Sequence, residues 1–187
     1  MDIPPNSPRP VRSASDIRLI AISGKQYSGK DVLTRLLLAR LPAFRQLPLA
    51  RAIKQAYAER EGLSLAEVEL HKAQHRPGLI ALGDWGRKQD SDYWLKQVLN
   101  TPGCLIISDL RLQREYDMLK AAGAFLIRVN ADRSVRATRG TLVSETDATE
   151  CELDGITDWD ALLTNNGSVK DLEKQVTWGL CKLFTPP

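Results

Sequence analysis

The sequence is poor in the residues that would mark a secreted, metal-stapled or membrane protein. Its 187 residues include only 3 cysteines. Cys104, Cys151 and Cys181 lie far apart and form no Cys-x-x-Cys pair, so neither a disulfide framework nor a zinc site is indicated. Histidine is scarcer still, with 2 in the chain; His71 and His75 are four apart but lack a third ligand, and they read as ordinary exposed side chains. No apolar run approaches the ~18 residues of a membrane span, and the opening MDIPPNSPRPVRSASD lacks the apolar stretch of a signal peptide. The expectation is a cytoplasmic protein without a membrane partner. Excess charge is also small: 26 Lys and Arg against 23 Asp and Glu leave +3, which favours local handling of anions over a broad nucleic-acid surface.

What is present is enough apolar residue, 43% of the chain, to bury a core in one domain. Residues 1–16, rich in Pro, Ser and Arg, read as a flexible leader, with the domain at 17–187. Ile17–Ser23 is a nearly continuous apolar run ending at Gly24, as expected of a strand buried on both faces. Asp31–Leu41 has helical spacing and stops at Pro42. Phe44–Leu49 reads as a short strand, Ala50–Glu61 as a helix closed by Gly62, and Ser64 opens a further helix with Glu67 in capping-box register. Pro77–Asp90 and Tyr93–Leu99 continue the helical reading, giving a helical insertion over about 50–100 of the kind that supplies a second-substrate site. Cys104–Ser108 is a strand ending in Asp109, Gln113–Ala122 a helix, and Ala124–Asn130 the next strand. A charged stretch, 132–154, precedes a last strand at Trp159–Thr164, a turn at Asn165-Asn166-Gly167 and a helix at Ser168–Phe184. Alternating βα units around a glycine-rich first crossover predict a three-layer α/β fold, a parallel sheet flanked by helices with ligands at the carboxyl ends of the strands.

The sharpest motif is Gly24-Lys25-Gln26-Tyr27-Ser28-Gly29-Lys30, a G-x-x-x-x-G-K loop between strand and helix. Its glycines let successive N–H groups curl inward around an anion, and the helix that follows adds its positive end. Lys30 supplies a point charge for the β- and γ-phosphates of ATP. Where Ser or Thr usually meets magnesium the chain has Asp31, whose carboxylate can reach the metal through water or orient the acceptor. Asp109 ends an apolar strand on the same rim and can hold magnesium or its water, while Arg111 can bind an acceptor phosphate. A plain strand-end salt bridge is the alternative for that pair. Arg136 and Arg139, three apart on one helical face, suit a lid over the phosphates, against the alternative of a solvated helix. Within the insertion, Lys54, Lys72, Arg76, Arg87 and Lys88 are the candidate contacts for a second anion.

The loop GKQYSGKD resembles the variant ending in Gly-Lys-Asp of two related groups, animal-type phosphomevalonate kinases and phage-type deoxynucleoside monophosphate kinases. AIKQAYAEREGL (Ala52–Leu63), Trp85-Gly86, SDLR (Ser108–Arg111), Arg139-Gly140 and DATECELD (Asp147–Asp154) look like the first. RPGLIALGDWG (Arg76–Gly86), DYWLK (Asp92–Lys96), Glu115 and VSET (Val143–Thr146) look more like the second. The resemblance implies a P-loop kinase fold akin to nucleoside monophosphate kinases, with a helical acceptor insertion and an arginine lid. By it, Gly24 to Asp31 bind ATP with Mg2+ and Lys54 and Arg111 face the acceptor phosphate, to which the insertion's own basic residues add Arg76 and Arg87. Arg136 and Arg139 belong to the lid, and Asn165 to Gly167, with Asn166 at the centre, approach adenine. The catalytic set is then Lys30, Asp31, Asp109, Arg111 and Arg139. Animal phosphomevalonate kinases carry a second arginine after Arg111, where this chain has Leu112. The expectation is therefore transfer from ATP to a small phosphate monoester, preferentially a (deoxy)nucleoside monophosphate. Phosphomevalonate and hydroxymethylated bases in DNA are the alternative acceptors, and a nucleotide-binding switch without transfer is the reading from another class.

Overall fold

The computed structural model describes residues 17–180. Five strands, β1 (Leu19–Ser23), β2 (Phe44–Gln46), β3 (Cys104–Leu110), β4 (Phe125–Asn130) and β5 (Ala161–Thr164), form one sheet in the order β2-β3-β1-β4-β5. Every neighbouring pair is parallel. Because strand side chains alternate between faces, each central strand feeds two cores. Ile20, Ile22, Ile106, Ile127 and Val129 pack on one side against Leu33 and Leu37 of α1 (Lys30–Arg40) and Leu172 of α9 (Val169–Gln175). Ala21, Leu105, Ile107 and Leu126 pack on the other side with Leu49 of α2 (Leu49–Glu61), Leu95 and Val98 of α5 (Tyr93–Leu99), and Tyr116 and Leu119 of α6 (Gln113–Ala121). The result is a three-layer α/β fold of the P-loop kinase type, with the strand carboxyl ends gathered on one rim. Among the described residues no helix is long and apolar enough to cross a membrane.

Between β2 and β3 the chain runs through α2, α3 (Leu65–Leu70), α4 (Lys72–Gln89) and α5. They enclose a small core of their own, built on Tyr57, Ala58, Val68, Leu82 and Trp94. The Ser64/Glu67 capping box forms as expected, each partner closing the other's backbone N–H. Between β4 and β5 lie α7 (Arg133–Arg139) and the single turn α8 (Ala148–Cys151).

Several boundaries differ from expectation for local reasons. The second strand stops at Gln46 because Pro48 has no N–H to continue the ladder, and the Leu49 amide is taken by the Asp109 carboxylate instead. Helix α4 begins at Lys72, earlier than the proline suggested, since the His71 carbonyl collects the N–H groups of both Gln74 and His75 before Pro77 is reached. His75 is not simply exposed: its ring meets Tyr57 edge-on, with Nδ1 3.3 Å from the hydroxyl. Strand β3 runs on through Asp109 to Leu110. Trp159 lies outside β5, in a turn where its indole N–H donates to the Ile156 carbonyl. Helix α9 gives way to a π-helical turn at Val176–Leu180, where the Thr177 hydroxyl bonds the Glu173 carbonyl at 2.9 Å. The expected leader, Cys181 and the end of the last helix fall outside the described residues.

Candidate active site

The glycine loop joins β1 to α1 on the rim of the sheet. Gly29 has φ 105° and Gly24 φ 155°, conformations that side chains resist. A Cβ on Gly24 would lie 2.5 Å from both Ser28 Oγ and the Val129 carbonyl. One on Gly29 would run into Asn165 Nδ2, which donates to the Ser28 carbonyl at 2.7 Å. Tyr27 adopts φ 58°, a left-handed conformation unusual outside glycine and typical of loops built around a ligand. Asp31, Thr34 and Arg35 follow on the first turns of α1, and the Thr34 hydroxyl bonds the Lys30 carbonyl.

Lys30 turns back into the loop, its Nζ donating to the carbonyls of Gly24 (2.6 Å) and Lys25 (2.9 Å). Burial, and secondarily the Arg111 guanidinium, lowers its pKa from 10.5 to about 8, while Glu150 and Asp31 pull the other way. Lys25 points away from this cluster, toward Asp154 (2.6 Å), which also binds Arg128 (2.7 Å). Ser28 Oγ is buried without a hydrogen-bond partner.

The segment between β4 and β5 is fastened to the loop largely through Gln26. Arg136, 5% exposed, donates to the Gln26 carbonyl (3.3 Å) and pairs with Glu145. The Gln26 side chain bonds the Val143 backbone in both directions, and the Gln26 N–H donates to Glu150 Oε2 at 2.8 Å. Arg139 bridges the Tyr27 carbonyl (3.2 Å) and the Asn165 carbonyl (2.8 Å). Asn166, the residue expected near adenine, accepts the Asp132 N–H at the head of α7.

A cleft of about 720 Å3 is lined by Tyr27, Lys30, Asp31, Arg35, Asp109, Arg111 and Arg139, among others. The Asp109 carboxylate accepts the first N–H groups of α2, from Leu49 (2.7 Å) and Ala50 (3.3 Å), and burial pushes its pKa up. It thus fixes the entry of the insertion while its edge lines the cleft. Arg111 holds Glu150 at 2.9 Å. Gln46 and Pro48 border both this cleft and a second lobe of about 310 Å3 lined by Arg51, Lys54, Leu65, Ala66 and Glu69. Lys54 is paired there with Glu69. The structure does not bring the other four insertion candidates to these lobes: Lys72, Arg76 and Lys88 are exposed on α4, and Arg87 pairs with Asp84 and faces a separate depression.

The sequence reading gave no role to Glu150, Arg35, Arg51 or Gln46, and Asn165, expected near adenine, instead braces the loop through the Ser28 carbonyl. Arg35 had a signal, lying one helical turn beyond Asp31 and so on the same face. Glu150 sits within DATECELD, but one acidic residue among several there carries no mark of its burial.

Comparison with known proteins gives a family. The phosphomevalonate kinase family model matches residues 22–124, from the end of β1 past α6. The chain belongs to the phosphomevalonate kinase family. Its match thus takes in the glycine loop, the helical insertion and the SDLR rim. A protein of Acanthamoeba polyphaga mimivirus named "Putative deoxynucleotide monophosphate kinase" is 32% identical over 85 residues, 44% of this chain and 40% of that protein. The chain therefore aligns with less than half of that relative's length. Among solved structures, TT1252 from Thermus thermophilus superposes with a TM-score of 0.50 at 19% identity, over 89% of this chain and 98% of that one. Shikimate kinase from Aquifex aeolicus gives 0.49 at 17% identity, over 87% and 96%. For this member of the phosphomevalonate kinase family, the likeness to TT1252 bears on fold alone.

Proposed function

We propose that the protein transfers the γ-phosphoryl group of ATP to a small phosphate monoester, giving a diphosphate. The observation that carries this is a pair of adjoining lobes bordered by Gln46 and Pro48, one lined by the glycine loop, Lys30 and Arg111 and the other by Arg51 and Lys54. Such an arrangement brings two anionic reactants together and neutralises the charge that moves between them, which is most of what phosphoryl transfer requires. Loop N–H groups and Lys30 bind the donor phosphates, and Arg111 steadies the acceptor phosphate or the group in flight. The 132–154 segment acts as a lid in which Arg136 and Arg139 brace the loop and keep water from the reaction. The residues fit a magnesium ion that arrives with ATP: Asp31 and Asp109 line one cleft and are the oxygen donors such an ion takes in small number, directly or through water. Bound there, the ion would neutralise phosphate charge.

The lining of the second lobe favours a compact aliphatic acceptor of the phosphomevalonate type. Its described lining residues include no aromatic ring on which a base could stack, and Tyr27, the ring in the larger cleft, belongs to the donor loop. A (deoxy)nucleoside monophosphate, the acceptor preferred from sequence alone, is the second reading, supported by the likeness to the mimivirus protein. A coupled ADP-release assay over phosphomevalonate, dNMPs and NMPs separates the two. Turnover confined to nucleotides would overturn the first, and ATP binding with no turnover on any of them would overturn the transfer itself.

A further inference from the structure

Glu150 is an unusual residue to find directly behind the wall of a cleft lined by Lys30 and Arg111. It sits on the single turn α8, and its side chain is 3% exposed. Its two oxygens hold two residues of one cleft wall: Oε2 takes the Gln26 N–H of the glycine loop, and Oε1 takes Arg111 Nη1. Both donors are of the kind that phosphate oxygens otherwise recruit. A carboxylate this deeply buried is tolerable only when its oxygens are satisfied, so the site and Glu150 hold each other in place. Glu150 also exerts the largest favourable charge effect on protonated Lys30, and it arrives on the lid segment, the same stretch that grips Gln26 through Arg136 and Val143.

We infer that Glu150 is a positioning residue for phosphoryl transfer: it aims Arg111 and the Gln26 amide from behind, leaving their remaining donors directed at the reactants. This rests on the kinase reading above. The guanidinium is a planar fork, so fixing Nη1 on a buried carboxylate also fixes the directions of its other N–H groups, which a solvent-facing arginine leaves free. The role differs from that of an acid, base or metal ligand, because both oxygens are occupied by protein donors.

The test is a double-mutant cycle of Glu150→Gln and Arg111→Ala. The amide of Glu150→Gln keeps the shape and one acceptor for the Gln26 N–H but loses the charge on Arg111. Expected is a fall in kcat of about 10- to 100-fold, as misorientation produces, with the acceptor KM changed by no more than about threefold. In the Arg111→Ala background the same change should cost about threefold or less, since the group it positions has gone. Inorganic phosphate, titrated calorimetrically into the full chain, should bind Glu150→Gln at least as tightly as wild type, because Arg111 has lost its internal partner. A merely structural role predicts a raised KM, weaker phosphate binding and effects that multiply across the cycle, and that pattern overturns the inference. If wild type transfers phosphate to none of the acceptors, the kinase reading fails. Phosphate binding then decides alone, with weaker binding in Glu150→Gln than in wild type counting against the inference. Should Glu150→Gln not fold, Glu150→Asp, which keeps the charge but withdraws it by one methylene, carries the same cycle.

Discussion

The two adjoining lobes are built on different plans. At the donor end, residues far apart in sequence meet on the loop: Glu150 and Arg136 on Gln26, Arg139 on Tyr27, and Asn165 on Ser28. In the helical insertion most charged pairs stay within the insertion itself, Lys54 with Glu69 and Arg87 with Asp84, while Asp92 reaches Arg114 of α6. The insertion is tied to the sheet beneath the cleft through Asp109, which caps α2, and through the apolar seam of Leu49, Leu95 and Val98. Under the proposed function, the donor would be held by a cross-braced frame, and the acceptor by a lobe whose side chains can be exchanged without disturbing that frame. Substitutions at the two ends should accordingly differ in size and in the kinetic constant they move.

The largest effect belongs to Lys30. Removing the one loop ammonium that faces the transferring group in Lys30→Ala is expected to lower kcat/KM by about 10^3-fold, the scale of losing a preorganised donor to developing charge. Far-UV circular dichroism should show the fold intact. Unchanged turnover would place the chemistry elsewhere and favour a nucleotide-binding switch.

Next in size is Gly29→Ala, which tests the bracing itself. The new methyl would collide with Asn165 Nδ2 in a backbone conformation already hostile to Cβ, breaking the bond to the Ser28 carbonyl. A loss of about 2–3 kcal/mol in urea unfolding is expected, together with weakened ATP binding. A variant as stable as wild type would mean the frame yields more easily than its hydrogen bonds imply.

The pH dependence of the donor end follows from Lys30, with opposite signs for activity and stability. Its folded pKa of about 8 lies below the ordinary 10.5. Above about 8 the free enzyme loses the ammonium, so kcat/KM for ATP should fall by about tenfold per pH unit. Over the same window the unfolded chain binds the proton that the folded chain has shed. Stability therefore rises with pH between about 8 and 10.5, relieving a burial cost that is fully present below it. Comparing urea midpoints of wild type and Lys30→Met across this range isolates the contribution, and identical slopes would show that Lys30 is not the group responsible.

What could be read from the sequence divides along the same line. The glycine loop, Lys30 and the strand-end SDLR were legible because each signal is local: a spacing, an apolar run, a turn residue. So was the Ser64/Glu67 box, whose partners are three apart. The bracing was not, because Glu150 to Gln26 spans 124 positions and Asn165 to Ser28 spans 137. Nothing in either neighbourhood distinguishes the member that turns inward. In the insertion the failure has another cause. Arg76 and Arg87 have the right charge and a helical setting, but which face of α4 meets the cleft is decided by tertiary packing of Leu82, Gly83 and Gly86 against the insertion core and not by charge.

The smallest expected effects lie in that insertion and sharpen the contrast most. Lys54 faces the acceptor lobe with a partially buried side chain, so Lys54→Ala should raise the acceptor KM by about 3- to 10-fold while leaving kcat and the KM for ATP within about twofold. Arg87, half-exposed and paired within its own helix, should change each constant by less than about twofold when replaced by alanine, as isolated surface pairs do. Steady-state kinetics with both substrates varied reads all of these constants at once. If Arg87→Ala proved the more damaging of the two, the acceptor would lie in the depression shared by Arg87, Arg111 and Arg114 and not in the lobe beside Lys54. The insertion would then approach its substrate from the opposite face of α2.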